Sequence, residues 1–149
     1  AKRPYRLPTE AEWERTARGP STGAADNRRY PWGAPWDKQR CNNKELGLGQ
    51  TTPVGQFSPA GDSPEGVSDL AGNVWEWCST RYGGVEATVR FGYPYQADER
   101  EDLEGDDARI LRGGSWFAGP AWCRCGYRLW YDPGGRFNSR GFRCARTVS

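Results

Sequence analysis

Arg112-Gly113-Gly114-Ser115-Trp116, then an irregular stretch over residues 117–140, then Gly141-Phe142-Arg143, decide the reading of this chain. Two glycine-marked landmarks bracket a segment rich in aromatics, Gly and Arg, with neither helical nor strand periodicity. An irregular coil held at both ends by a rigid frame is what a recognition surface needs.

Composition sets the limits. The 149 residues predict a single domain over 1–149, long enough to bury a core. Eight Trp and 20 Gly, with few long apolar runs, point to a loop-rich fold anchored by aromatics. No apolar run reaches the roughly 18 residues of a membrane helix, so no membrane segment is expected. No signal peptide is visible, and Ala1-Lys2-Arg3-Pro4 reads as a start inside a longer protein, with this domain its C-terminal part.

Five cysteines (Cys41, Cys78, Cys123, Cys125, Cys144) cannot all pair within one chain. With no visible signal, that favours the cytoplasm, surface display being the alternative if a signal lies upstream. His is absent, which removes His bases, Ser-His and Cys-His nucleophile pairs and His metal sites.

Charge is uneven. Seven acids lie in residues 98–107, whereas from Arg109 onward there are eight Arg, no Lys and only Asp132 in opposition. An Arg-rich half can meet phosphate. The absence of Lys favours internal ion pairs and aromatic stacking, so nucleic acid is not the expected partner.

Thr9-Glu10-Ala11-Glu12 is a capping box that opens a helix over 10–18, ended by Gly19-Pro20. Residues 20–60 read as loops, with Trp32 and Trp36 packed beneath coil. Val74–Cys78 and Arg109–Arg112 read as strands, and Phe142–Arg146 as the last strand. Residues 83–107 read as an excursion from the core. Trp116 and Phe142 are assigned to the core.

Six segments in order resemble the formylglycine-generating-enzyme (sulfatase-modifying factor) family, a branch of the C-type-lectin fold. They are Arg6–Glu14, Tyr30-Pro31-Trp32-Gly33, Thr52-Pro53-Val54-Gly55, Asp69–Trp77, Leu111–Trp116 and Gly141-Phe142-Arg143. The resemblance implies an α+β, loop-rich, C-type-lectin-like fold with a small twisted antiparallel sheet. It also implies a truncated or minimal version, since the family usually carries residues before the first helix.

The enzymes of that family hold copper(I) between two thiolates spaced C-x₄-C after the Gly-Gly-Ser motif, a soft metal on soft ligands. The matching positions here are Ala118 and Cys123. The pair is incomplete, so no copper and no catalysis are expected. Cys123-x-Cys125 is a weak metal or redox motif against packed thiols. The family's sulfoxide synthases bind iron through His and are excluded with it. The alternative function is a formylglycine-generating-enzyme-like copper oxidase acting on peptide Cys.

In relatives that bind calcium, the ligands match Asp69, Gly72, Val74 and Glu76. Two carboxylates and carbonyls at a Gly-marked turn make a hard oxygen shell, and a structural Ca²⁺ is expected there. The competing reading has Asp69 capping the turn and Glu76 paired with a core Arg.

Residues 117–140 further resemble the variable region of diversity-generating-retroelement target proteins, many on this lectin branch, of bacterial or phage origin. Phe117, Ala118, Gly119, Ala121, Tyr127, Leu129, Tyr131, Gly135, Phe137, Ser139 and Arg140 are all reachable from an Asn codon by adenine replacement, as Trp130 is from AGG and Cys125 from AGC. Cys123, Arg124, Arg128, Pro133 and Arg136 look fixed. Aromatics amid Gly, Ser and Arg resemble an antibody paratope. The Asn-codon residues, with Trp122 and Trp130, are therefore the expected contacts of a non-catalytic, receptor-like domain whose partner is a protein, carbohydrate being the alternative. Exposure is favoured for Trp130, Tyr131 and Phe137 and left open for Trp122.

Overall fold

The computed structural model describes residues 4–20, 27–83 and 91–146. Helix α1 (Glu10–Arg18) begins where the sequence places it: Thr9 accepts from the Glu12 N–H, and Glu12 reaches back to the Thr9 N–H, a complete capping box. Trp13 and Ala17 turn one face of α1 inward, against Leu70, Cys78, Ile110 and Cys125.

Two strands carry the core. β2 (Trp75–Gly83) and β3 (Ala108–Arg112) pair antiparallel, with register shifts along β2. β4 (Leu129–Tyr131) joins the free side of β3, giving the order β4-β3-β2-β5, where β5 is Arg140–Gly141. The sheet is antiparallel except for the two-residue β2/β5 pair. β1 (Tyr5–Arg6) and β6 (Ala145–Arg146) form a separate antiparallel pair.

Four sequence expectations need correction. The segment 117–140 contains a strand, β4, because Leu129-Trp130-Tyr131 is a short β-favouring run beside the open edge of β3. The expected last strand over 142–146 is broken. Gly141 pairs with Glu76, after which Arg143 turns in to bond the Glu76 carboxylate. Phe142, beside the inward-turned Arg143, is then thrown outward and is 67% exposed, not core. Trp116 is half-buried, not fully core.

The acidic run is also not an excursion where it is described. Residues 84–90 of that connection lie outside the described residues. Glu101 accepts from the Ser79 and Thr80 hydroxyls of β2. Asp98 grips Arg100, which lies over the Phe91 and Tyr95 rings. Arg81 meets Asp102 and Asp107. These acids therefore fasten the connection back onto the sheet.

The centre of the fold is ionic. Arg112 is fully buried, and it donates to Glu10 and Glu14 of α1 at 2.6 Å each and to the Cys125 carbonyl. Arg128 donates to both oxygens of Glu10, at 2.7 and 2.9 Å. Burial acts to lower the Arg112 pKa, but the two carboxylates outweigh it and the net direction is upward. For Glu14, burial pushes the pKa up, while Arg112 and Arg18 pull it below its ordinary value.

Removing one member of this network strands a buried charge. Arg112→Ala is expected to cost about 3–5 kcal/mol in urea denaturation. A loss under about 1 kcal/mol, the size of an exposed pair, would contradict the network's importance. Glu14 adds stability that is fully present above the unfolded carboxylate pKa of about 4.3. That stability is lost as pH falls through the lower folded value, so Tm should drop on acidification and Glu14→Gln should flatten the drop.

Candidate functional site

Trp75 of β2 is the floor of the site. Over it lies a cavity of about 270 Å³ lined by Trp75, Phe117, Trp122, Tyr127, Leu129, Tyr131, Phe137, Ser139 and Arg140. Eight of these nine are sequence-predicted contacts; Trp75, read only as a strand residue, is the ninth.

Period-2 geometry selects the members. On β4, Leu129 and Tyr131 line the cavity, while Trp130 between them stacks on Tyr82 at 5.2 Å on the other side. Trp130 is therefore half-buried in the frame, a correction to its expected exposure. The floor ring of Trp75 packs against Tyr127 at 5.9 Å, and Tyr127 lies 6.5 Å from Trp122. Trp122 is 44% exposed and Phe137 51%.

One rim is a clamp. The Arg140 guanidinium lies 3.6 Å from the Tyr131 ring centre and 3.9 Å from that of Phe137. The two rings meet edge to face at 5.5 Å. Such cation–π contacts fix rotamers, so the rim is held in shape. Gly135 is needed beneath it: a Cβ there would come 2.6 Å from the Tyr131 ring and 2.7 Å from the Arg140 guanidinium.

Other expected contacts fall elsewhere. Ala118 is fully buried with Cys41, Cys123, Ala71 and Tyr30. Its N–H donates to the Ser115 carbonyl and its own carbonyl accepts from Lys44, so the turn after Gly-Gly-Ser folds it inward. It is a core residue and does not face a ligand. Gly119 accepts the turn bonds of Trp122 and Cys123, and Ala121 is exposed beside that turn. Neither lines the cavity. Ser139 lines it from a buried position, its carbonyl taking the Trp75 N–H.

The thiol geometry separates Cys123 from Cys125. The turn over 121–126 sends Cys123 into the cluster with Cys41 and Cys125 into the cluster beneath α1, so C-x-C is not one site. The neighbouring Cys41 thiol and burial together push the Cys123 pKa upward. Burial likewise raises Cys125 to about 12. Gly114, at φ +79°, is required here because a Cβ would lie 2.7 Å from the Cys123 sulfur.

Of the expected calcium ligands, Asp69, Val74 and Glu76 line a second cavity of about 170 Å³, together with Asn73 and Arg143; Gly72 does not line it. Asp69 accepts from the Gly55 N–H at 2.7 Å. Glu76 takes Arg143 on both oxygens and Trp13 Nε1 on one, all at 2.6 Å. Arg143 also donates to the Ser68 and Asp69 carbonyls. Both Glu76 oxygens and the Asp69 carbonyl are thus taken by Arg143, as the competing reading of this segment expects, and an ion here would have to share them with a guanidinium. No helix among the described residues is long and apolar enough to cross a membrane.

The family model described as sulfatase-modifying factor enzyme 1-like domain matches residues 1–148. The chain is 38% identical over 147 residues to serine/threonine-protein kinase pkn1 of Chlamydia pneumoniae, covering 97% of this chain and 21% of that protein. It is 35% identical over 156 residues to the formylglycine-generating enzyme of Thermomonospora curvata, covering 94% of this chain and 48% of that protein. Among solved structures, Treponema denticola variable protein 1 superposes with a TM-score of 0.68 at 29% identity, covering 95% of this chain and 47% of that one. The chain thus spans a fifth to a half of the length of these relatives.

The cavity rim and its floor should differ in tolerance. Trp122→Ala and Phe137→Ala are expected to leave stability within about 1 kcal/mol, whereas Trp75→Ala should cost about 3–5 kcal/mol. Thermal unfolding of the three variants checks this; equal losses at rim and floor would contradict the division.

Proposed function

The chain belongs to the sulfatase-modifying factor enzyme 1-like domain family, and from that premise we propose that it is a non-catalytic, ligand-binding domain. Its 117–140 surface is diversified by a retroelement and takes a protein ligand. The observation that supports this most is the aromatic cavity, in which eight expected contact residues meet over one floor. Large rigid rings give contact area at low entropic cost, and the clamped Arg140 adds polar reach. The fold is shared with a protein named a variable protein.

The family includes enzymes as well. Against catalysis here stand Ala118 in place of a thiol and a Cys123 thiol that keeps its proton at neutral pH. The thiol of Cys41 beside Cys123 is what an oxidase reading would need to recruit. Copper(I) titration with a peptide-Cys oxidation assay separates the two: no copper-dependent turnover is expected, and turnover lost in Cys41→Ala would establish the oxidase. The genetic part is tested by the neighbouring DNA. A reverse transcriptase gene and a near-copy of the codons for 110–143, differing at adenines, are expected; their absence removes diversification from the account.

Calcium at Asp69, Val74 and Glu76 is proposed as a structural ion that ties the turn before β2 to the segment carrying Arg143. Isothermal titration of chelator-treated protein should show one site and a raised Tm on calcium addition. No uptake and an unchanged Tm would remove the ion.

A further inference from the structure

The wall of the aromatic cavity is uneven. Trp75, Phe117, Trp122, Tyr127 and Leu129 make most of it apolar, and Arg140 brings the one charged group among the lining residues.

Arg140 is held in place but not neutralised. The Tyr131 and Phe137 rings flank its guanidinium, and Nη1 donates to the Gly135 carbonyl at 3.5 Å, a long bond. Rings and a carbonyl fix its position without cancelling its charge. Asp132, the nearest acid along the chain, accepts from its own Gly134 N–H at 2.7 Å and does not line the cavity. Arg81, Arg100, Arg112, Arg128 and Arg143 each meet a carboxylate. Among the described residues, none is placed to do the same for Arg140. A half-buried guanidinium with a fixed position and free N–H groups is prepared for a carboxylate from outside.

Size narrows the occupant. A cavity of about 270 Å³ falls just under the roughly 300–1,000 Å³ of small-molecule pockets. It fits one large side chain, as an interface pocket seats an anchor. A cationic anchor is disfavoured, because Tyr131 and Phe137 already hold Arg140 and the two charges would repel.

We infer that the cavity seats a large apolar side chain of a protein partner that carries an Asp or Glu beside it, the carboxylate meeting Arg140. This rests on the reading of the cavity as a ligand site and adds the chemistry of the epitope to it.

The test is an NMR titration with three capped dipeptides, N-acetyl-Trp-Glu-amide and its Gln and Lys counterparts, read at the resonances of the cavity. At low salt the Glu probe should bind about fivefold tighter than the Gln probe, the upper range of an exposed ion pair, and the Lys probe should be weakest. Physiological salt should narrow the gap. Arg140→Gln should abolish the Glu preference, whereas Arg136→Gln, exposed and outside the cavity, should keep it. Trp122→Ala should weaken all three probes alike. The Glu-to-Gln comparison is made on the ligand, so it decides even where Arg140→Gln loosens the rim. Equal binding of the Glu and Gln probes would overturn the inference and leave the binding reading standing. So would a Glu preference lost equally in Arg136→Gln, which marks diffuse attraction. Tighter binding of the Lys probe would replace the acidic epitope with a basic one. No shift with any probe would contradict the binding reading, and the inference with it.

Discussion

Arg112 decides how this molecule holds together. A guanidinium with no solvent contact is tolerable only if its charge is answered, and Glu10, Glu14 and the Cys125 carbonyl answer it. Those partners come from α1 and from the turn after the Gly-Gly-Ser motif. Arg128, from the segment leading into β4, returns to the same Glu10. One ionic knot thus fixes the helix to the sheet and fixes both to the backbone of the 117–140 segment. An apolar contact could supply comparable energy, but it would not set orientation so narrowly, because it has no direction.

That knot holds the path of the coil whatever its outward side chains are. Within 117–140, side chains alternate between frame and surface. Ala118, Cys123, Cys125 and Arg128 go inward, whereas Phe117, Trp122, Tyr131 and Phe137 go outward or to the cavity rim. Backbone carbonyls and N–H groups of the segment are taken by Lys44, Arg29 and Trp75, so its path is set without its outward side chains.

Local chemistry was legible in the sequence wherever one short motif sufficed. Thr9 and Glu12 announced the helix start, and the aromatic run Trp75–Cys78 announced the central strand. The bracket Gly113-Gly114 to Gly141 marked the site, and most of its cavity residues could be named in advance. What could not be read depended on partners far away in the chain. Arg143 looked like part of a strand until Glu76 was placed beside it, and Phe142 looked like core until Arg143 turned inward. Ala118 could be read as surface because nothing in the sequence says that Lys44 and Ser115 bind its backbone. Trp130 differs from Tyr131 only by strand parity, and the strand itself exists because the edge of β3 is open. The acidic run hid its role because Ser79, Thr80 and Arg81 lie some 20 residues away.

A diversified surface requires that the outward side chains of 117–140 be replaceable while the frame stays intact. The most direct measurement is a displayed library randomised at Phe117, Trp122, Tyr127, Tyr131, Phe137 and Arg140, scored for protease resistance and then selected on unrelated proteins. Most members should remain folded, and different targets should enrich different combinations. A library that is largely unfolded, or one that never yields target-specific members, would contradict the claim.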